Sequence, residues 1–436
     1  MKKRLVLLMT LAAVAASAQA TAPNSAAQAP TPNAPGRGAG RGMGMGGGLM
    51  GPSFRSPEVS DDRRVTFRLS APNAREVVVR GVGRQPLTMQ KDSSGIWTAT
   101  TDPLNPDIYA YTFVVDGVTV PDPLNTMLRP SYHSLGQSAF LVPGDNVWTH
   151  LPNSPWGAVA RHVFHSAVAD DDRDFYVYTP PNYDPKRKQP YPVLYLLHGL
   201  GDEANAWTQV GAANTILDTL ITQGKAVPMI MVNPLGYGTA KGPRDLDADP
   251  EMLFKFIRIL TEEVMPQVEK HYNASTKATD HAVAGLSMGG GESILGGLNH
   301  LDKFAWIGSF SGAFNNWWLT RPTVNSPAEA ATGRGAGPGN MASSLPGRIG
   351  GRGALVLVES QIPKLFPTLD AKSNAKIKLI WIACGTADGL IGVNRQFKAY
   401  LDSKGVKASF TEIPDMGHVW PLWRQNLIAF APLLFK

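Results

Sequence analysis

One serine stands where the chain must bend. "HAVAGLSMGGGES", His281 to Ser293, passes from an apolar run through Gly285-Leu286-Ser287-Met288-Gly289 into a glycine-rich, helix-like stretch. G-x-S-x-G between a strand and a helix is the pattern of a nucleophile elbow, in which a strained turn projects the central hydroxyl above a sheet. With 44 glycines in the chain the pattern alone can arise by chance, and a helix N-cap is the competing reading of Ser287. The downstream residues decide between them. A serine hydroxyl is a weak nucleophile, so it needs a base, and the base needs an acid to hold its tautomer. The apolar run "IKLIWIAC" ends in "GTADGLI", which places Asp388 just past a strand, and "ASFTEI" is followed by "PDMGHVW", which places His418 in a loop before the last helix.

Asp415 competes for the acid role, but it lies in the same tight loop as His418 and is poorly placed to reach its Nδ1; Asp388 is the expected acid. Structural or solvated roles suit His162, His165, His271, His281 and His300. The developing oxyanion needs preorganised donors. The backbone N–H of Met288, next to the nucleophile, is one expected donor, and Leu200, in the loop after "VLYLLHG", supplies the other. His198 in that "HG" is expected to orient the loop rather than transfer protons. Trp317, Trp318 and Trp420 are candidates for flanking an aromatic acyl group, with packing as the alternative for each. No His, Asp, Glu or Cys cluster has metal-ligand spacing and no glycine loop suits a phosphate, so the chemistry calls for no metal and no cofactor.

These residues need a scaffold. "FYVYTP", "YPVLYLLHG", "VPMIMVNP", "HAVAG", "FAWIGSF", "IKLIWIAC" and "ASFTEI" read as strands buried on both faces. Helical candidates such as "NTILDTLITQ" and "EMLFKFIRILTEEV" lie between them, which predicts an α/β fold: a doubly wound, mostly parallel α/β-hydrolase sheet over residues 161–436. Before it, short β-rich runs broken by Pro, Asn, Asp and Gly over residues 55–143 predict a small all-β, immunoglobulin-like sandwich, followed by a linker at 144–160. Trp97 and Tyr111 there are expected to pack in the core. A stretch rich in Gly, Ala and Pro, residues 321–353, reads as an insertion that either overhangs the site or is inert.

Residues 1–20 carry Lys2, Lys3 and Arg4, an apolar run and an Ala-Gln-Ala end, the layout of a cleaved signal peptide. The apolar run is shorter than the ~20 residues of a spanning helix, so export to the periplasm or beyond is expected, without a membrane anchor. Residues 21–54 read as a flexible Gly/Pro/Ala-rich linker. The formal charge is +6, three of those positives fall in the leader, and the rest is spread thinly, which is no nucleic-acid signature. The single cysteine, Cys384, sits in an apolar run and reads as a buried structural thiol.

"YPVLYLLHGLGDEANAW", "AVAGLSMGGGES", "FAWIGSFSGAF", "WIACGTADGLI" and "MGHVWPLWRQNLIAFAPLLF" resemble carbohydrate esterase family 1, the feruloyl and acetylxylan esterases related to esterase D and to mycolyltransferases. The resemblance implies Ser287 as nucleophile, Asp388 as acid and His418 as base. "TFRLSAPNAREVVV", "SGIWTATT", "YAYTFVVDG" and "PDPLN" resemble family 48 carbohydrate-binding modules, with a departure over Arg80 to Met89, where many relatives carry an aromatic. Together these imply a secreted feruloyl esterase acting on plant cell-wall xylan, whose partner is a feruloylated or acetylated polysaccharide or its oligosaccharides. The alternatives are an acetylxylan esterase, an enterochelin-type siderophore esterase, an acyltransferase, or a non-catalytic binding protein on a hydrolase scaffold.

Overall fold

The computed structural model describes residues 54–83, 85–131, 136–144, 148–239, 252–314, 320–322, 355–357 and 362–436, all within one compact unit, Pro52–Lys436. The stretches read as a signal peptide and, nearly all of it, as the 21–54 linker, together with Trp317, Trp318 and most of the stretch 321–353 read as an insertion, lie outside the described residues.

The first layer is built from short strands: Glu58–Val59 (β1), Val65–Ser70 (β2), Val77–Arg80 (β3), Leu87–Thr88 (β4), Gln90–Lys91 (β5), Ile96–Thr100 (β6), Asp107–Val115 (β7), Val118–Val120 (β8), Leu128–Arg129 (β9) and Gln137–Val142 (β10). They form two antiparallel sheets, β1-β2-β6-β5 and β4-β3-β7-β10-β9, with β8 pairing β7. Alternation along the strands decides which side chains meet. Val65, Phe67 and Leu69 from one sheet face Val77, Val79, Tyr111, Phe113, Phe140 and Val142 from the other in a shared core. Phe67 sits 4.8 Å from Tyr111 and 5.7 Å from Phe140 between ring centroids. Trp97 and Tyr111 are buried in that core, as their alternation predicts.

The second part is one eight-stranded sheet. Its strands are Ala158–Ser166 (β11), Asp171–Thr179 (β12), Val193–Leu197 (β13), Ile230–Pro234 (β14), His281–Leu286 (β15), Trp306–Phe310 (β16), Leu379–Gly385 (β19) and Ser409–Ile413 (β20), in the order β11-β12-β14-β13-β15-β16-β19-β20. A two-stranded ribbon, Thr320–Pro322 (β17) with Leu355–Leu357 (β18), brings the two ends of the insertion together. The pairs from β14 to β20 are parallel, while β11, β12 and β14 are antiparallel neighbours. β11 starts inside the stretch read as linker, so the sheet begins earlier than residue 161.

The helices are Ala206–Gln209 (α1), Ala213–Thr222 (α2), Met252–Arg258 (α3), Met265–His271 (α4), Met288–Asn299 (α5), Ile362–Leu365 (α6), Ile391–Ser403 (α7) and Trp420–Phe430 (α8). The stretch read as one helix over "EMLFKFIRILTEEV" instead widens to a π-helix at Ile259–Val264 between α3 and α4. Thr261 Oγ there takes the Ile257 carbonyl, and Pro266, just beyond, has no N–H to give. Successive residues of β13 explain the unbroken apolar runs: Val193, Tyr195 and Leu197 pack under α3, α4, α5 and α7, while Leu194 and Leu196 pack under α1, α2 and α8. Both faces are covered. Among the described residues no helix is long and apolar enough to cross a membrane.

The sandwich is bound to the sheet domain by charge as well as apolar contact. Ile108 packs against the cluster under α8. Arg424 of α8, fully buried, donates to Asp107 Oδ1 at the start of β7 and to the Val210 carbonyl at 2.8 Å, and its guanidinium lies 5.4 Å from the Trp148 ring centre. Removing one member of such a pair strands a charge in the interior, at a typical cost of about 3–5 kcal/mol. Asp107→Ala is therefore expected to lose stability on that scale in urea unfolding. Asp102→Ala, which breaks only an exposed pair with Arg64, is expected to lose less than about 1 kcal/mol. Equal losses would show that the buried pair does not join the two parts.

Candidate active site

β15 delivers the serine and α5 carries the chain away from it. Between them Ser287 adopts φ 53° and ψ −115°, a conformation a side chain normally avoids and one that costs on the order of 1–3 kcal/mol. Neighbouring strands hold it there. Ser287 N–H donates to Phe310 O at 2.9 Å, and Ser287 O accepts from Ala313 N–H at 2.7 Å and Gly291 N–H at 3.1 Å. The flanking glycines are required by contact: a Cβ on Gly285 would lie 2.5 Å from Gly289 O, and one on Gly289 would lie 2.7 Å from Leu197 O and collide with His198 O. Small residues thus let α5 sit directly on the end of β13.

His418 follows β20 and faces Ser287. Its Nε2 is 2.9 Å from Ser287 Oγ, and its Nδ1 is 2.8 Å from Asp388 Oδ2. A carboxylate only accepts, so Nδ1 carries the proton and Nε2 is left to accept from the serine hydroxyl. The Asp388 carboxylate is fully buried. Burial opposes its charge but is outweighed by the hydrogen bond and charge of His418 and by the Leu390 N–H at 2.9 Å, which together hold the carboxyl below its ordinary range. The indole of Trp423, early in α8, stands edge-on to the His418 ring with centroids 4.9 Å apart. Asp415 is exposed, at φ 57°, and its backbone N–H donates to Thr386 Oγ1; no hydrogen bond joins it to His418.

The loop after β13 completes the surroundings. His198 is buried, its Nδ1–H donates to Gly199 O at 2.8 Å, and its Nε2 accepts from Gly236 N–H at 2.8 Å. Burial, against the pull of the Gly199 carbonyl, holds this ring below the ordinary histidine range, so it stays neutral and ties the loop down. A Cβ on Gly199 would lie 3.4 Å from Ser287 Cβ, which places the turn beside Ser287. Gly201 N–H donates to Tyr237 Oη at 2.9 Å, and that hydroxyl donates to Asp202 O at 2.9 Å. Leu200 packs in one small cluster with Met288 and Tyr237, so the two backbone N–H groups expected as donors belong to neighbouring residues. Met288 opens α5, and its N–H has no acceptor within the helix.

Trp420 is corrected by its surroundings. It is buried against Trp207 and Trp423, in the core under the sheet, rather than open to a bound acyl group. Five other histidines have hydrogen-bond partners away from the site: His150 with Ser154, His162 with Tyr272, His165 with Asp172, His271 with Gln267, and His281 with Ser275 and Lys303; His300 caps the end of α5. Cys384 is buried and burial pushes its thiol up, which leaves it inert. Three residues near the site had no motif to announce them: Trp423, Tyr237 and Asp202. Only Trp423 left a signal, as an aromatic soon after His418 in a predicted helix.

Residues 166–434 match the model of the Esterase family. The chain belongs to the Esterase family. The chain is 27% identical over 397 residues to an endo-1,4-beta-xylanase/feruloyl esterase of Xylanibacter ruminicola, covering 88% of this chain and 46% of that protein. It is 26% identical over 199 residues to a diacylglycerol acyltransferase/mycolyltransferase of Mycobacterium avium, 41% of this chain and 52% of the other. The chain thus spans about half the length of these curated relatives. Among solved structures, the ferulic acid esterase of Anaeromyces mucronatus in complex with ferulic acid superposes with TM-score 0.50 at 23% identity, over 67% of this chain and 96% of that one. The enterobactin esterase of Shigella flexneri superposes with TM-score 0.54 at 18% identity, over 85% and 92%. These two likenesses are of fold.

One buried acid in this esterase fold is unpaired. Glu292, in the second turn of α5, has no hydrogen-bond partner on either carboxyl oxygen among the described residues. It shares with His198 the space beside Gly236, where a Cβ would be 3.3 Å from Glu292 Oε2 and from His198 Nε2. Burial holds its carboxyl well above the ordinary range, against the pull of Arg173. The folded chain then keeps a proton that the unfolded chain releases near pH ~4.3, so stability falls as pH rises from there toward the folded-state value. Glu292→Gln removes that loss. Its melting temperature is expected to exceed the wild type's by more at pH 8 than at pH 5, whereas a gap independent of pH would mean that Glu292 does not titrate in this way.

Proposed function

We propose that the protein is a serine carboxylesterase in which Ser287, His418 and Asp388 act as nucleophile, base and acid. The hydrogen-bonded chain from Ser287 Oγ through His418 to a buried Asp388 carries this reading. Ser287 Oγ attacks the ester carbonyl while His418 Nε2 takes its proton, and the carbonyl oxygen becomes an oxyanion facing the N–H groups of Met288 and Leu200. Collapse breaks the bond to the alcohol, which leaves with the proton from His418. The acyl group stays on Ser287 Oγ. Water then attacks in the same way, His418 takes its proton, and the acid departs as the proton returns to Ser287. Asp388 stays ionised and holds the tautomer throughout.

Feruloyl esters of plant cell-wall xylan are the substrates we favour, with acetylated xylan as a variant of the same reading. The Xylanibacter ruminicola relative, which bears both xylanase and feruloyl esterase in its name, supports it. The leader at residues 1–20 supports export to the periplasm or beyond. An enterochelin-type siderophore esterase is the second reading, because the Shigella flexneri structure shares the fold across both parts of this chain. Methyl ferulate and a catecholate trilactone, compared under the same conditions, separate the two: the first reading expects faster hydrolysis of methyl ferulate, and faster trilactone cleavage would replace it.

Ser287→Ala is expected to lower kcat on a small aryl ester by at least about 10⁴-fold, with circular dichroism and melting temperature nearly unchanged. Asp388→Asn is expected to lose about 10⁴-fold, as when a triad base is left in the wrong tautomer, while Asp415→Asn keeps most of the activity. If Asp415→Asn is the more damaging, the acid is misassigned.

A further inference from the structure

The "PDPLN" segment of the sandwich, Pro121 to Asn125, forms a buried knot of hydrogen bonds. Asp122 Oδ2 accepts from Ser56 Oγ and from the Tyr111 hydroxyl, both at 2.6 Å, and Oδ1 accepts from Leu124 N–H at 2.8 Å. The backbone N–H of Asp122 donates to Ser138 Oγ at 2.8 Å. Asn125 Nδ2 donates to Ala139 O at 2.7 Å, and Asn125 Oδ1 accepts from Met127 N–H at 2.9 Å. The knot fixes the chain that runs into β9, where Arg129 pairs with Gln137 of β10. So β9, the edge strand of its sheet, is tied to β10 on one side and anchored by the knot through the chain that leads into it.

The Arg129 side chain leaves the sandwich and reaches the loop after β13. Arg129 Nη2 is 3.3 Å from Asp202 Oδ1, and the two side chains are only 17% and 6% exposed, so the pair is not a solvent-screened surface contact. Asp202 closes the turn that holds Leu200: its N–H donates to Gly199 O at 3.1 Å, and its carbonyl accepts from the Tyr237 hydroxyl. A Cβ placed on Gly199 would be 3.6 Å from Asp202 Oδ2 and 3.4 Å from Ser287 Cβ. The Asp202 carboxylate therefore lies near the place where negative charge develops.

We infer that Arg129 is a positioning residue for the oxyanion loop, acting through Asp202 from the β-sandwich. Two effects follow from its charge. The guanidinium neutralises a carboxylate that would otherwise oppose the oxyanion, and it removes the drive for Asp202 to turn toward water and carry Leu200 with it. The inference rests on the serine-esterase reading and adds to it a role for the sandwich that needs no bound glycan.

The test uses the full chain and the variants Arg129→Gln, Arg129→Lys and the double variant Arg129→Gln/Asp202→Asn, with turnover of 4-nitrophenyl acetate normalised to the sites that react with a fluorophosphonate. Outright loss of one oxyanion donor costs about 10²–10³-fold in kcat. Arg129→Gln, which displaces rather than removes a donor, is expected to lose about 10- to 100-fold in kcat with KM nearly unchanged, and to weaken inhibition by an aryl trifluoromethyl ketone in proportion. Arg129→Lys is expected to restore part of the loss, and so is the double variant, because the unpaired carboxylate is gone. Unchanged kcat per reactive site in Arg129→Gln overturns the inference. So does a loss that falls on KM alone, or one that leaves ketone inhibition intact. A wild-type protein that neither reacts with the fluorophosphonate nor turns over any ester instead removes the esterase reading beneath it.

Discussion

A single strained residue organises this molecule. Ser287 is held at φ 53° by hydrogen bonds to both sides of its peptide, and that conformation is stable only because β15, β16 and α5 are packed too tightly to let it relax. The same tightness places α5 on the end of β13, through the contacts that forbid side chains at Gly285 and Gly289. The loop after β13 then has to pass beside the serine. What surrounds Ser287 is a consequence of how closely one helix approaches one sheet.

Charge does the comparable work between the domains. Arg424 lies under no water, and its partners are a carboxylate from the sandwich, a carbonyl from the loop before α2 and the ring of Trp148. The helix that carries Arg424 starts just after His418, and the loop gripped by Arg129 starts just after β13. Both ionic contacts of the sandwich thus end on segments that border the site. A domain joined in this way shapes its neighbour whether or not it also binds a ligand.

Much of this was legible in the sequence because the signals are local and repeated. Strands covered on both faces must be apolar throughout, so β13, β15, β16 and β19 stand out as runs, and the elbow and Asp388 each follow a run at its end; His418 instead follows β20, which was read as buried on both faces but is a largely exposed edge strand. Alternation in β2 and β6 likewise marked the sandwich core. Other features depend on distant partners. In the sequence Trp420 stood open between a pocket role and packing, and only the assembled helix shows it turned onto Trp207. The antiparallel start of the sheet was hidden because β11 is largely exposed and carries no apolar run. No local pattern announces that Arg129 will meet Asp202, since 73 positions separate them and only the assembled domains bring them together.

The central claim is that Ser287 forms a covalent acyl intermediate under the control of His418. Mixing the protein with excess methyl ferulate, quenching in acid within the first turnovers and mapping the peptides by mass spectrometry tests it directly. A feruloyl adduct is expected on the peptide containing Ser287, absent when the protein is first treated with a fluorophosphonate. Turnover that survives complete fluorophosphonate labelling of Ser287, or an adduct on another residue, would contradict it.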